Sequence, residues 1–283
     1  MSMLSRSYVD SVVTISIQTT GGNKHVLGTG FLVGKLLSED ENQKSYLLFL
    51  VTNKHVIKNQ KMVYIGFNQL GGVGFYEFEL TVRDKNKKMY SEHPNKDVDI
   101  VAFSLNVDFL NENGARFSFF KLDEDAFTIA QMKSSDVFEG DLTYQLGYPL
   151  NLVGASSKNP ICRFGCISRI SDLYIPGSPE LSFLVDSQSF PGNSGGPVIL
   201  RPEPSTLAGG KSHLKSVLIG ILHSYVPYRD PLISQQTGEV YSLMQENSGL
   251  TNVHTVDQII NVVDIEHTRI GVASTYDIKK KKK

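Results

Sequence analysis

The chain has 283 residues, of which 40% are hydrophobic, which is enough to form a substantial core and excludes a mainly disordered protein. Lys and Arg (28) balance Asp and Glu (29), so the net charge of -1 gives no electrostatic bias toward nucleic acid or an anionic membrane. Two cysteines are too few for the disulfide scaffold of a small secreted domain.

Short runs rich in Val, Ile, Leu and Phe, separated by Gly, Asn and Pro, predict an all-β protein with few helices. In the first half these runs lie at residues 11–18, 26–37, 46–52, 61–67, 75–82 and 99–105. In the second half they lie at residues 142–146, 161–170, 182–185, 197–200 and 216–223. The similar strand density of the two halves predicts two antiparallel β-barrels of the six-stranded type, packed side by side.

The predicted domains follow from the positions of these strands. We expect the first β-barrel at residues 8–115 and the second at residues 116–230. The segment 202–211 is rich in Pro, Gly and Ser and predicts an exposed loop of the second barrel. No apolar stretch reaches the length of a signal peptide or of a membrane span, so a soluble, cytoplasmic protein is expected.

The pattern changes after the last predicted strand. Thr255 and Gln258 have the spacing of a capping box, and apolar residues then recur at helical spacing, which predicts a short helix over residues 256–264. We therefore expect a C-terminal extension with this helix at residues 231–270, followed by a basic, solvated tail at residues 271–283.

The segment Phe190-Pro-Gly-Asn-Ser-Gly-Gly-Pro-Val198 encloses a small nucleophile, Ser194, between glycines that allow a tight turn. Such a turn can aim the main-chain N–H groups of Gly192 and Ser194 at one point, where they would stabilise the oxyanion of a tetrahedral intermediate. The alternative is an ordinary hairpin, rich in Gly and Pro, that contains a serine.

A serine hydroxyl needs a base to accept its proton, and His55 is the candidate among the seven histidines. It follows a strongly apolar strand, where a rigid scaffold can hold a side chain at the rim of a cleft, although a surface histidine is the alternative. The base needs a carboxylate to orient it, and both Asp97 and Asp99 precede a buried strand. Alternation places both on one strand face, so periodicity leaves the choice open.

These residues belong to motifs that occur in a definite order along the chain. The motifs are Gly28-Thr-Gly-Phe31, Thr52-Asn-Lys-His-Val56, Asp99-Ile-Val-Ala102 and Gly192-Asn-Ser-Gly-Gly-Pro197. Over about residues 8–230 the chain resembles the chymotrypsin/trypsin-like serine peptidases. It is most similar to their disulfide-poor bacterial branch, which includes the high-temperature-requirement proteases. The roughly fifty residues after Tyr228 are too few for the peptide-binding domain that often follows there, so that domain is not expected.

The resemblance implies a double β-barrel and a serine endopeptidase that cleaves a protein or peptide substrate through an acyl-enzyme. It assigns Ser194 as nucleophile, His55 as base and Asp99 rather than Asp97 as the orienting carboxylate. It also implies that neither a metal ion nor an organic cofactor is required. Asn193 stands where secreted zymogens carry an aspartate that pairs with a newly cut N-terminus, so activation by N-terminal trimming is not expected.

The resemblance also places the base of the primary substrate pocket at Gln188 and Ser189, with the strand that contains His223 as one wall. Neither residue at the base supplies a negative charge, so a preference for Arg or Lys is not expected. His223 is a candidate to bind a Glu or Gln side chain in this pocket, and a purely structural histidine is the alternative.

Two other functions compete with the peptidase interpretation. A trypsin-like fold can lose catalysis and act as a peptide- or protein-binding module, although all three catalytic residue types are present here. An esterase of another fold would need Gly-x-Ser-x-Gly, which Gly192 to Gly196 satisfy, but its His would have to follow the serine in a strand-turn-helix context. Labelling by a fluorophosphonate that depends on Ser194 would separate the enzyme from the binding module.

Overall fold

The structure is a computed structural model that describes residues 4–40, 43–85, 87–203 and 214–273. In the first half the strands are β1 (Val12–Gln18), β2 (Lys24–Asp40), β3 (Gln43–Thr52), β4 (Met62–Gln69), β5 (Phe75–Thr81), β6 (Arg83–Asp84), β7 (Lys87–Lys88), β8 (Ser91–Glu92), β9 (Val101–Ser104), β10 (Ala115–Arg116) and β11 (Phe120–Lys121). All except β6 and β7 belong to one nine-stranded sheet, whose main path runs β10-β4-β1-β2-β3-β9-β8.

The second half forms a closed barrel of six antiparallel strands. The strands are β12 (Leu142–Gly147), β13 (Ile161–Arg169), β14 (Ser182–Asp186), β15 (Pro197–Leu200), β16 (Val217–Ile233) and β17 (Val240–Thr255). Their order around the barrel is β12-β13-β14-β17-β16-β15. The prediction of an all-β fold with a six-stranded barrel is therefore confirmed, while the first unit contains more strands than the six predicted.

Strand β17 was not predicted, although it closes the second barrel. It pairs with β14 on one side and with β16 on the other, so the barrel strands extend to Thr255, past the predicted boundary at residue 230. Its first half and the second half of β16 form a ribbon whose residues are largely exposed, with Tyr241 87% exposed. Because neither face of this ribbon is buried, the sequence has no alternation that marks it as a strand.

The helices lie around these two units. The α-helices of the described residues are α1 (Arg6–Asp10), α2 (Val107–Glu112), α3 (Ile129–Ser134) and α4 (Val256–Ala273). Short 3-10 helices lie at Lys54–Ile57, Pro149–Asn151 and Ser171–Tyr174. Helix α4 begins at the predicted residue and continues past residue 264, and none of the helices in the described ranges is long and apolar enough to cross a membrane.

Helix α4 joins the second barrel to the strands that lead to the candidate site. Its apolar face packs into the same core cluster as Val98, Ile100 and Ala102, with Val256 and Ile259 fully buried. Each such side chain contributes about 1.5–3 kcal/mol of burial free energy. The apolar face of α4 therefore holds the segment before β9 in place.

A buried carboxylate adds a polar anchor to this contact. Glu266 is completely buried, and it accepts hydrogen bonds from the Ser91 hydroxyl at 2.8 Å and from the Ser104 main-chain N–H at 3.1 Å. Arg269, one turn further along the helix, donates to both of its oxygens. Since a buried charge is costly unless it is paired, these partners fix the helix against β8 and β9.

Two of the predicted segments fall largely outside the described residues. These are the exposed loop at 202–211, of which residues 204–211 are not described, and the basic tail, of which residues 274–283 are not described.

Candidate active site

His55 and Asp99 meet because their elements are neighbours in the first sheet. His55 lies in the 3-10 helix that follows β3, and Asp99 lies two residues before β9, which pairs with β3. Nδ1 of His55 is hydrogen-bonded to Oδ2 of Asp99, and the main-chain N–H of His55 donates to Oδ1 at 3.1 Å. The Asn53 side-chain amide donates to the Asp99 carbonyl oxygen at 2.8 Å, so the segment of Asp99 is held at three points.

Asp97 has a different environment from Asp99. It is exposed, in a turn in which the Val98 N–H donates to the carbonyl oxygen of Asn95, and its own N–H donates to the Asn95 side chain at 3.0 Å. The strand begins only at Val101, so the expectation that both carboxylates share one strand face is wrong. The chain geometry directs only Asp99 at His55.

Two further histidines surround Asp99. Nδ1 of His223, on β16, is buried and lies 3.3 Å from Oδ2 of Asp99, within electrostatic range but not aligned as a hydrogen bond. The ring of His254, on β17, packs on the His223 ring with 4.7 Å between the ring centroids. Nε2 of His254 accepts the Asp99 main-chain N–H at 3.3 Å, so the proton of this neutral imidazole must be on Nδ1, which faces the Leu181 carbonyl.

This packing shifts the protonation equilibria of the cluster. Burial alone would raise the pKa of Asp99, but the contacts with His223 and His55 outweigh it and hold that pKa well below its usual range. Burial, followed by the effect of the His223 charge, lowers the pKa of His254 to about 4. Asp99 is therefore ionised and His254 neutral near neutral pH.

Ser194 lies in a turn whose glycines cannot be replaced without conflict. Gly192 and Gly195 have backbone φ values of +100° and +85°, which residues with a side chain rarely adopt. A Cβ atom at Gly192 would lie 2.2 Å from the carbonyl oxygen of Tyr148, and one at Gly195 would lie 2.1 Å from that of Thr29. The hydroxyl of Thr29 donates to the Gly192 carbonyl at 2.7 Å, which ties the turn to the first sheet.

The turn is packed between the elements that carry His55 and His223. The Ser194 carbonyl accepts the Thr29 N–H at 2.9 Å, and a Cβ atom at Gly28 would lie within 2.8 Å of the Val56 methyl groups and 3.1 Å from that same Ser194 carbonyl. On the other side, the residue after Ser194 donates its N–H to the Leu222 carbonyl at 3.0 Å. Ser194 therefore lies next to the 3-10 helix of His55 and next to β16.

The main-chain N–H groups of this turn differ in whether they already donate a hydrogen bond. Those of Asn193, Gly195 and Gly196 donate to main-chain carbonyls. Those of Gly192 and Ser194 have no acceptor within the described part of the chain. These two groups are the pair that the sequence suggested for an oxyanion, and both remain available for a ligand.

The segment of the predicted substrate pocket is held by β17. Gln188 is exposed and Ser189 is buried, and the Ser189 carbonyl accepts the Asn247 side-chain amide at 2.5 Å. Thr251 donates its hydroxyl to the Ser187 carbonyl at 2.6 Å. Sequence reasoning missed Asn247, Thr251 and His254, because their roles depend on a strand that it did not predict.

An all-β chain with a His–Asp pair at one strand edge and a glycine-rich serine turn packed beside it has the architecture of trypsin-like serine peptidases. The chain belongs to the trypsin-like peptidase domain family, whose model matches residues 28–203. A search of curated proteins found no match. The family match includes His55, Asp99 and Ser194 and ends before β16, so His223 and His254 lie outside it.

Proposed function

We propose that the chain is a serine endopeptidase that hydrolyses peptide bonds through an acyl-enzyme. Membership of the trypsin-like peptidase family supports a peptidase. The observation that carries the proposal is the hydrogen-bonded pair of His55 and Asp99 beside the turn of Ser194. In that turn the N–H groups of Gly192 and Ser194 have no acceptor among the described residues. A nucleophile, a base, an orienting carboxylate and an oxyanion site are the parts that acyl transfer requires.

In this mechanism the Ser194 hydroxyl attacks the carbonyl carbon of the scissile peptide bond while Nε2 of His55 accepts its proton. Asp99 keeps the other imidazole proton on Nδ1 and stabilises the imidazolium that forms. The N–H groups of Gly192 and Ser194 stabilise the oxyanion. His55 then gives its proton to the leaving amine, and water hydrolyses the ester of Ser194 in the reverse sequence, with His55 again as base.

The role proposed for His223 and His254 is to fix Asp99. His254 accepts the Asp99 main-chain N–H and packs on the His223 ring, which in turn lies against Oδ2 of Asp99. With its main-chain N–H bound by His254 and the His223 ring against Oδ2, Asp99 has less freedom to turn away from His55. This arrangement favours a positioning role for His223 over the role in substrate selection that its strand suggested.

The experiment is peptide hydrolysis by the full chain. A library of unstructured peptides is incubated with the wild-type protein and with Ser194→Ala and His55→Ala, and circular dichroism establishes that each variant is folded. We expect cleavage at internal peptide bonds by the wild type and loss of nearly all of it in both variants. Equal cleavage by a folded Ser194→Ala would rule out the serine mechanism, and a folded wild type that binds peptides without cleaving them would indicate the binding module.

A further inference from the structure

A cleft of about 570 Å³ opens beside His55 and extends to Asp99 and His223. This volume lies within the range of about 300–1,000 Å³ that is typical of ligand clefts. Its charged lining residues beyond the histidines and Asp99 are Lys54, Lys58, Arg83, Lys88, Lys96, Glu92 and Asp97. Several of them come from the paired strands β6 and β7 and from the turn before β9, so the cleft lies on the first-sheet side of the site.

The cleft is positively charged, although the whole chain is not. Five cations against three carboxylates, Asp99 included, give the lining a formal charge of +2, whereas the complete chain has a net charge of -1. A concave surface lined by an excess of one sign of charge concentrates the electric field and attracts ligands of the opposite sign. The electrostatics therefore favour an anionic ligand.

The internal ion pairs do not remove this excess. Glu92 lies between Lys88, at 2.5 Å, and Lys54, at 3.7 Å, so one carboxylate serves two cations. Asp99 is engaged by His55. Within the described residues, Lys58, Arg83 and Lys96 form no ion pair, and only the exposed Asp97 is left to offset them.

We propose that this cleft is a subsite for acidic substrate side chains and binds the carboxylate of an Asp or Glu close to the scissile bond. The proposal rests on the proposed function, because a polypeptide attacked by Ser194 must pass His55, where the cleft begins. A cleft of about 570 Å³ is about 8 Å across, and an extended chain advances by about 3.3 Å per residue, so the acidic residue lies within about three positions of the cleaved bond. The carboxylate is met by Lys58, Arg83 and Lys96.

A metal ion is a poorer occupant of the same place. The ligand atoms of His55, Asp99 and His223 lie within 4.8 Å of one another, a spacing that a divalent cation could use. The excess of lysine and arginine around them repels a cation. The Asp99 oxygens are also already engaged by the His55 ring and main-chain N–H.

The test compares pairs of fluorogenic peptides that differ by one Glu→Gln change at successive positions on either side of the scissile bond. Each exposed ion pair contributes up to about fivefold in affinity, so we expect about a tenfold higher kcat/KM for Glu than for Gln at the matching position. The preference should shrink as NaCl is raised from about 0.05 M to about 0.5 M. The variant Lys58→Gln/Arg83→Gln/Lys96→Gln should abolish it.

A matched control removes the same charge at three cations outside the cleft lining. Arg6, Arg169 and Lys215 have side chains about 60% exposed and form surface ion pairs, and the triple change of these residues to Gln should leave the Glu preference intact. A parallel measurement uses fluorescence polarisation of the same peptides with Ser194→Ala, which requires no turnover. Circular dichroism establishes the fold of every variant.

The two proposals fail in different ways. The subsite is supported if Ser194→Ala binds the Glu peptide more tightly than the Gln peptide and this preference is lost when the three cleft cations are also replaced. This result supports the subsite even if the wild type cleaves no peptide and the proposed function is wrong. Cleavage with equal kcat/KM for Glu and Gln at every position overturns the subsite and leaves the peptidase intact. A Glu preference that survives in the cleft variant, or is lost in the control variant, also overturns it.

Discussion

Replacing Asp99 by Asn tests the assignment of the catalytic carboxylate with almost no change in shape. Oδ1 of Asp99 accepts the His55 main-chain N–H, and Oδ2 faces the His55 Nδ1. An amide has only one oxygen, so the amide nitrogen of Asn must face either the His55 main-chain N–H or the N–H of Nδ1. In either case two hydrogen-bond donors face each other. If the amide nitrogen faces Nδ1, the imidazole proton moves to Nε2, where it prevents acceptance of the Ser194 proton.

The expected loss follows from this change of tautomer and from the loss of the negative charge beside the imidazolium. A change of this kind in a Ser-His-Asp triad lowers kcat by about 10⁴, which corresponds to about 5 kcal/mol in the activation barrier. Asp97→Asn is the matched control, because Asp97 is exposed and no side-chain partner of its carboxylate occurs among the described residues. Its effect on kcat should be below about tenfold, or about 1.4 kcal/mol.

The assay measures kcat and KM of both variants with one fluorogenic peptide, together with their thermal unfolding. A change confined to the chemical step should lower kcat of Asp99→Asn and leave KM close to that of the wild type. The assignment of Asp99 is wrong if a folded Asp99→Asn keeps near-normal kcat, or if a folded Asp97→Asn loses as much activity as Asp99→Asn.

Three further predictions concern stability and specificity. The pKa of His254 is lowered to about 4, against about 6.5 when unfolded, so its stabilising effect is complete above about pH 6.5 and is lost as the pH falls toward about 4. Between those pH values the free energy of unfolding, measured with urea, should fall by about 3 kcal/mol more in the wild type than in His254→Gln. Equal decreases in the two proteins would contradict this prediction. Gly192→Ala should abolish peptide cleavage and lower the midpoint of thermal unfolding. Gly21→Ala is the control and should change neither, because there is open space around Gly21. A fully active Gly192→Ala would exclude the described turn. A cleavage profile should show no preference for Arg or Lys before the scissile bond, since Gln188 and Ser189 are neutral, and a basic preference would show that the pocket lies elsewhere.

The positions of His55 and Ser194 could be predicted because their signals are local. His55 follows an apolar strand whose buried end is fixed by sheet pairing, and Ser194 is enclosed by glycines that adopt backbone angles few other residues tolerate. The pattern did not separate Asp97 from Asp99, because it assumed a strand where the chain makes a turn. Only the resemblance to a family favoured Asp99.

The contacts that depend on distant pairing could not be predicted from local pattern. His223, whose Nδ1 lies 3.3 Å from Oδ2 of Asp99, is located at an irregularity of β16 between Leu222 and Ser224, and no residue type in that segment marks the irregularity. The place of His254 depends on β17, whose exposed half lacks hydrophobic alternation. The two-residue strands of the first sheet are too short to show any period.

The location of a covalent adduct tests directly whether Ser194 is the nucleophile. The folded full chain is treated with a fluorophosphonate, digested, and analysed by mass spectrometry. We expect one modified residue, Ser194, with modification lost in Ser194→Ala and much slower in His55→Ala, since the hydroxyl is unreactive without its base. Modification of another serine, or no modification of the folded wild-type protein, would show that Ser194 is not the activated nucleophile.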